Sequence, residues 1–228
     1  MHGGREQTGC ILFFVKYPEQ GSVKTRLART LPDGVAVQLY RRFVTDVLSM
    51  LHDIERPVVI CYTPPGRAQA FRDWLGDGYR YLPQRGDNLG ERLQHGFVDG
   101  YDSGYGSAVA VGSDSPDLPP AFIREAFDGI EKNQVVIGPA ADGGYYLIGF
   151  PRSTFMPAAF EGIEWSTPTV YAETMRKIRA EHARNGIHVL PPWKDVDTFE
   201  DLHELYHRNR KSPYASSDTM RYIAECIL

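Results

Sequence analysis

No hydrophobic run in this chain is long enough to cross a bilayer. The longest, Cys10 to Val15, falls far short of the ~20 apolar residues a transmembrane helix needs. Cysteine is scarce: Cys10, Cys61 and Cys226 are the only three and form no C-x-x-C pair. Their odd number and wide spacing argue against a disulfide framework and fit a reducing cytoplasm. The opening stretch Met1–Gln7 lacks the apolar centre of a signal peptide, so residues 1–8 are expected to form a disordered lead-in. There is no basic excess either. The formal net charge is −4, which excludes the broad positive footprint of a nucleic-acid-binding protein. A nucleotide-sized anion needs only a local basic cluster. Internal repeats, low-complexity tracts and a G-x-S-x-G nucleophile elbow are also missing.

With 42% hydrophobic and 24% charged residues among 228, the chain suits one globular domain. That domain is placed at residues 9–210, followed at 211–228 by a linker (Lys211-Ser212-Pro213) and a short helix. Ile11–Val15 is uninterrupted and apolar, as a strand buried on both faces should be. Further strands are expected at Val58–Tyr62, Tyr79–Leu82, Ala108–Val111, Val135–Ile137, Tyr145–Ile148 and Ile187–Leu190. Between them the period shifts to that of a helix. Leu39, Phe43, Val47 and Leu51 recur every fourth residue, with Tyr40, Val44 and Leu48 beside them in one wide stripe. Other helical patterns surround Phe71, Phe97 and Phe127, run over Val170–Ala183, and start near Phe199 and Asp218. This alternation predicts a three-layer αβα sandwich around a mostly parallel, mixed sheet. Ligands of such sheets gather outside the carboxyl ends of the strands.

The segments after the strands carry the chemistry. After the first comes Pro18-Glu19-Gln20-Gly21-Ser22-Val23-Lys24-Thr25-Arg26-Leu27, a glycine-containing loop expected to lead into a helix bearing Lys24 and Arg26. Backbone N–H groups and these two cations would suit phosphate, although the first glycine of a Walker A loop is missing. An ordinary strand–helix turn explains the pattern equally well. Gln84-Arg85-Gly86-Asp87-Asn88-Leu89-Gly90-Glu91-Arg92 offers Gln84 and Asn88 to a base edge, with Gly90 and Arg92 beside them; a capped helix start is the plain alternative.

Gly112-Ser113-Asp114-Ser115-Pro116-Asp117 presents two carboxylates just past a buried strand. Their oxygens suit a hard cation such as Mg²⁺ or Mn²⁺, though Asp117 reads better as the N-cap of the next helix. Ala141-Asp142-Gly143-Gly144 reads either as a hairpin turn or as a close approach of backbone to ligand, with Asp142 binding a sugar or phosphate-linked group. Trp193-Lys194-Asp195-Val196-Asp197-Thr198 sets Asp195 and Asp197 at alternating positions, while Asp197 or Thr198 would cap the following helix. Two carboxylates converging to ~4 Å at an effective dielectric of ~20 would repel by about 4 kcal/mol, which a divalent cation would relieve. His203-Glu204-Leu205-Tyr206-His207 matches the HExxH of zinc peptidases, but Phe199, Leu202, Leu205 and Tyr206 define the buried face, so Glu204 points away from it, and the chain downstream offers no third ligand beyond Glu225.

Taken as an ordered set, Pro18–Leu27, Gly112–Leu118, Asp142–Tyr145 and Asp195–Leu202 resemble the motifs of the DUF2064 family, glycosyltransferase-like proteins of the nucleotide-diphospho-sugar transferase superfamily. The resemblance implies a GT-A-like fold and a metal-dependent transferase fed by a nucleotide-sugar or NTP donor. Glycosyl transfer to an unknown small-molecule acceptor is the first reading, nucleotidyl transfer to a phosphorylated acceptor the second, and a non-catalytic nucleotide-binding module the third. The first loop is similar to the phosphate-holding loop of molybdenum-cofactor and phospholactate guanylyltransferases, which gives that role to Lys24 and Arg26. Val196–Leu202 is similar to the metal-binding segment of CMP-sugar synthetases and nominates Asp197, with Asp114 as its partner. Typical GT-A enzymes carry Asp-x-Asp at the metal, where this chain has Asp114-Ser115-Pro116-Asp117. Asp142 and Asp195 are the candidate catalytic groups, Gly143 and Gly144 join Asp142 against the substrate, and Gln84, Asn88, Gly90 and Arg92 face the base. No nucleic acid or membrane insertion is expected, and the oligomeric state stays open.

Overall fold

A computed structural model of the chain describes residues 9–132, 134–181 and 186–227. The lead-in expected over 1–8 lies outside the described residues, as do the last residues of the helix expected to reach Ala183. Seven strands build one sheet: β1 (Gly9–Lys16), β2 (Val58–Thr63), β3 (Arg80–Pro83), β4 (Ser107–Val111), β5 (Val135–Pro139), β6 (Tyr145–Pro151) and β7 (Ile187–Val189). The described α-helices are α1 (Val35–His52), α2 (Ala68–Leu75), α3 (Leu89–Asp102), α4 (Pro120–Glu131), α5 (Val170–Glu181), α6 (Phe199–Asn209) and α7 (Asp218–Cys226).

Strand order is β3-β2-β1-β4-β6-β5-β7, and every pairing is parallel except those of β6 with its two neighbours. The exception follows from chain length. Only residues 140–144 join β5 to β6, enough for an antiparallel return but not for the dozen-residue crossover a parallel partner requires.

Period-2 alternation decides which layer each strand residue enters. From β1, Ile11, Phe13 and Val15 enter the core shared with α1, α2 and α4, while Cys10 and Leu12 enter the opposite core with α3 and α5. Val109 and Val111 of β4 divide from Ala108 and Ala110 in the same way. Both faces are buried, which is why these strands read as continuous apolar runs. The broad stripe of α1 has two destinations. Tyr40, Val44, Val47 and Leu51 face the sheet, while Ala36, Leu39 and Phe43 pack beneath α6 and α7 with Leu202, Leu205 and Ile223. Cys10 and Cys61 lie wholly within the core, where burial pushes the Cys10 thiol up to about 12. Among the described residues no helix is long and apolar enough to cross a membrane.

The order of strands creates a crevice. The chain runs from β1 outward through β2 and β3 on one side, then returns to place β4 on the other side of β1. At such a reversal the connections leaving the two central strands part company, opening a gap at their carboxyl ends. The connections that flank it are those after β1 and β4.

Candidate functional site

The segment leaving β1 makes no α-helix at Lys24, contrary to the sequence expectation. Residues 17–26 run as turns into a 3-10 helix of three residues, Leu27–Arg29, and the first long helix starts only at Val35 behind Gly34. Pro32 and the left-handed Gly34 (φ +81°) interrupt any earlier helix. No helix dipole therefore serves this loop. What it has instead is an inverted lysine: Lys24 adopts φ +46°, a region that costs a non-glycine residue about 1–3 kcal/mol.

The strained backbone turns the Lys24 side chain inward until it is 1% exposed. Its ammonium lies between two carboxylates, donating to Asp197 Oδ1 at 3.0 Å and pairing with Asp114 Oδ1, while the Phe43 ring centroid sits 5.5 Å away. Burial alone would depress the Lys24 pKa, but the charges of Asp114 and Asp197 outweigh it and hold the ammonium above its ordinary range. Burial likewise works against ionisation of Asp114, and Lys24 more than offsets it, so that carboxyl is lowered. Asp114 and Asp197 keep side chains 50% and 40% exposed, each with its second oxygen outside the contact with Lys24. Arg26 stands 4.0 Å from Asp197 Oδ2 and is largely in solvent.

Backbone and hydroxyl contacts fix this arrangement. Tyr40 OH, carried by α1, accepts from Lys16 N and shares a 2.9 Å hydrogen bond with Ser113 Oγ, tying the ends of β1 and β4 together. Val196 N donates to the Asp114 carbonyl at 2.9 Å, which brings the 195–197 segment alongside the loop after β4. Thr198 then caps α6 in a reciprocal box with Asp201, which also accepts from Asp197 N at 3.2 Å, so the Asp197 side chain takes no part in the cap and faces Lys24. Asp195 accepts from Ser115 Oγ. Burial first, then the charge of Asp114, raises its carboxyl to about 7, with Asp142 adding a smaller push.

A cavity of about 340 Å³ opens on this cluster, lined among others by Lys16, Lys24, Arg26, Asp114, Ser166 and Asp197. A larger one, about 800 Å³, lies between α1, Pro116–Pro120 and the α6–α7 connection. Its one charged pair is internal, because Asp117 is engaged there by Arg208. The smaller cavity brings two half-exposed carboxylates together with Lys16, Lys24 and Arg26.

The other expected residues divide clearly. Asp142 forms the hairpin turn between β5 and β6, accepting from Gly144 N at 2.9 Å, and is exposed close to Asp195. Gly143 (φ +93°) lies against Pro168, where a Cβ would meet the Pro168 carbonyl oxygen at 2.1 Å. The segment Gln84–Arg92 makes internal hydrogen bonds. Gln84 Nε2 donates to Cys61 O at 2.7 Å, Asn88 caps α3, and Arg92 Nε donates to Gly86 O at 3.0 Å. Gly90 lets α3 approach the Trp165 loop, since a Cβ would fall 2.5 Å from Phe160 O. None of these four lines the 340 Å³ cavity.

Asp117 does not cap α4, whose N-cap is Pro119 without a side-chain bond. It is instead a buried clamp on α6, accepting from Arg208 Nε at 2.7 Å, Arg208 Nη2 at 2.8 Å and Asn209 Nδ2 at 2.6 Å. In the HExxH segment, the His203 and His207 Nε2 atoms lie 3.0 Å apart in solvent while Glu204 pairs with Lys194. Among the described residues no three metal-type side chains converge anywhere.

Sequence reasoning missed Lys16, Tyr40, Ser113 and Ser166. Lys16, the last residue of β1, was detectable as a cation at the carboxyl end of a central strand. Ser166 reaches the cavity from a left-handed turn (φ +67°) that no local pattern announces.

The donor set fits a divalent cation of the Mg²⁺ type. Such an ion keeps several waters and takes one or two carboxylates, completing its shell from substrate phosphates. Asp114 and Asp197 supply two half-exposed carboxylates facing a cavity large enough for phosphate.

Residues 47–167 match a family described as uncharacterized protein conserved in bacteria (DUF2064). No functionally curated protein matches the sequence. A structure from Desulfovibrio desulfuricans G20, provisionally assigned as a nucleotide-diphospho-sugar transferase, is 42% identical over 95% of this chain and 94% of its own, with a TM-score of 0.91. Two more distant structures share the fold. Rv0371c from Mycobacterium tuberculosis H37Rv, solved in complex with manganese, is 15% identical over 87% of this chain and 97% of its own (TM-score 0.53). CMP:2-keto-3-deoxy-manno-octonic acid synthetase complexed with CTP is 14% identical over 87% and 96% (TM-score 0.52).

Proposed function

This chain belongs to the DUF2064 family, and from that membership we propose that it is a metal-dependent transferase that takes its group from an activated nucleotide, in the first reading a glycosyl group from a nucleoside-diphosphate sugar. The observation that carries the proposal is the Lys24–Asp114–Asp197 cluster at the reversal point of the sheet, opening on a cavity that also holds Lys16 and Arg26. Acids and cations side by side in one hollow are what a phosphate chain carrying a cation requires.

In this mechanism Arg26 and Lys16 would take the donor phosphates, while Asp114 and Asp197 are the residues that would hold Mg²⁺ or Mn²⁺. The cation, when bound, neutralises charge on the departing phosphate. Asp195 serves as the proton acceptor for an attacking hydroxyl. A carboxyl raised to about 7 is matched to that task near neutral pH, and Ser115 fixes one of its oxygens. Asp142, exposed on the hairpin beside Asp195, positions sugar or acceptor with the backbone at Gly143 and Gly144. The acceptor is a small molecule.

Nucleotidyl transfer is the second reading, favoured by one specific feature. Lys16, Lys24 and Arg26 put three cations around one cavity, more than a diphosphate requires and well suited to a triphosphate. The test is product analysis with Mn²⁺ and a panel of nucleotide-sugars and NTPs against mixed hydroxyl and phosphate acceptors. Release of nucleoside diphosphate supports glycosyl transfer, and acceptor-dependent pyrophosphate moves the assignment to nucleotidyl transfer. Tight nucleotide binding with no turnover of any donor would sink both, leaving a binding module.

A further inference from the structure

Two carboxylates that would share a divalent cation already share an ammonium. We propose that Lys24 is a displaceable internal counter-ion: its ammonium occupies the Asp114–Asp197 seat in the free protein and yields it when a divalent cation binds. The inference rests on the proposed metal role of these two acids and adds to it a competition within the site.

Three features carry the argument. The Lys24 side chain is 1% exposed and bridges both acids, so it lies in the space between them and not beside it. A cation entering from the cavity meets a like charge at the point where both carboxylates converge. The backbone at Lys24 is held at φ +46° and its carbonyl accepts from Ala28 N at 2.9 Å, so the anchor is fixed; the four-carbon stem beyond it is the part free to swing. The cavity next to it offers somewhere for the ammonium to go. Arg26 and Lys16 face the same hollow, and a polyanion held there would be a new partner for the displaced charge.

The charge count gives the consequence. Two carboxylates and one ammonium sum to −1, and a divalent cation added to them gives +1, an excess that bound phosphate removes. Cation binding is therefore weak alone and strong beside a phosphate chain. Lys24 would link the two events.

The experiment measures binding of Mn²⁺ alone, by the loss of the free-ion EPR signal, in the full-length wild type and in Lys24→Met and Lys24→Gln variants. Both variants are expected to bind Mn²⁺ about tenfold more tightly or better, the factor set by one charge-assisted hydrogen bond no longer broken on entry. Adding Asp114→Asn to either variant should abolish the gain. Mn²⁺ binding by the variants that is equal to or weaker than wild type, or absent, would overturn the proposal by making Lys24 a permanent strut. Should both variants fail to fold, the wild type answers alone through the side-chain nitrogen resonance of Lys24 under Mg²⁺ titration. A saturable shift absent from Asp114→Asn supports displacement, and an unmoved resonance refutes it. The outcome is separable from the transferase reading, because a protein that turns over no donor can still exchange an ammonium for Mn²⁺.

Discussion

Removing the Asp117 carboxylate should unfold the protein sooner while leaving its nucleotide chemistry intact. Asp117 stands three residues after Asp114, and a metal reading of the segment would enlist both acids. The structure separates them: the Asp117 side chain is 2% exposed and accepts two bonds from Arg208, one from Asn209 and one from Trp193 Nε1 at 3.2 Å. Truncating one partner of a buried charged pair costs roughly 3–5 kcal/mol, because the other charge stays behind. Arg208 is 30% exposed and can recover some hydration, so the lower end applies, about 3 kcal/mol. For a domain of this size each kcal/mol moves Tm by roughly 2–4 °C, so Asp117→Ala should lower Tm by about 6–12 °C. Calorimetry measures this, and a double-mutant cycle with Arg208→Ala gives the coupling, expected at about 1.5 kcal/mol or more. Nucleotide-dependent thermal shifts of the variant, measured from its own baseline, should match wild type. Additive single mutants, or an unmoved Tm together with lost metal-dependent nucleotide binding, would refute the clamp and return Asp117 to the site.

The raised carboxyl of Asp195 predicts a pH dependence. Its folded pKa of about 7 lies above the ordinary 3.8, so the folded state holds the proton more tightly and the ionised form destabilises it. That cost is absent below about pH 4, grows as pH rises, and is complete above pH 7; three units would be about 4 kcal/mol, roughly halved for partial solvation. Asp195→Asn, which keeps an acceptor for Ser115, should match wild type in urea melts at pH 4 and exceed it by about 2 kcal/mol at pH 8, and a constant difference across that range would defeat the assignment. Arg26→Ala should weaken nucleoside diphosphate binding about tenfold and flatten its salt dependence while sparing nucleosides, readable by calorimetry; equal losses for both ligands would place Arg26 elsewhere than at the phosphates. Gly143→Ala should destabilise by about 2 kcal/mol or more, since its φ of +93° and the Pro168 carbonyl oxygen at 2.1 Å both oppose a Cβ; an unchanged Tm would mean that the loop carrying Pro168 gives way freely.

The fold was legible because its signals are local. An apolar run such as Ile11–Val15, short and continuous, fits a strand covered on both sides, and the spacing of Leu39, Phe43, Val47 and Leu51 fits a helix. The loss begins where a residue's role depends on distant chain. Asp117 looked like a helix cap because capping is a local habit of aspartate, but its partners lie 91 and 92 residues away on α6. Lys24 reads from sequence as a helix-borne phosphate donor because no pattern announces a left-handed lysine, or that Asp197, 173 residues on, meets it. Gln84, Asn88 and Arg92 had their plainer alternative in view, and their hydrogen bonds are indeed internal, to Cys61 O, Glu91 N and Gly86 O.

Which acids can serve a cation is decided by their partners more than by their spacing. Four aspartates, at 114, 117, 195 and 197, enter this region on two short segments, and left alone they would repel strongly. The structure gives each a different answer. Asp117 is neutralised by Arg208 and withdrawn from solvent; Asp195 is buried beside the charge of Asp114 with only a neutral hydroxyl for a partner, and burial and that charge outweigh the hydroxyl's opposing effect, so its proton affinity rises. Asp114 and Asp197 share one ammonium between them, which leaves a surplus of negative charge on two carboxylates still open to the cavity. Only that last arrangement combines an unmet charge with access, and both are needed for an ion to enter and be held. The same distribution explains why the raised carboxyl and the metal-type pair can coexist so closely. A cation drawn to Asp114 would lessen the repulsion that keeps Asp195 protonated, so filling one function should tune the other.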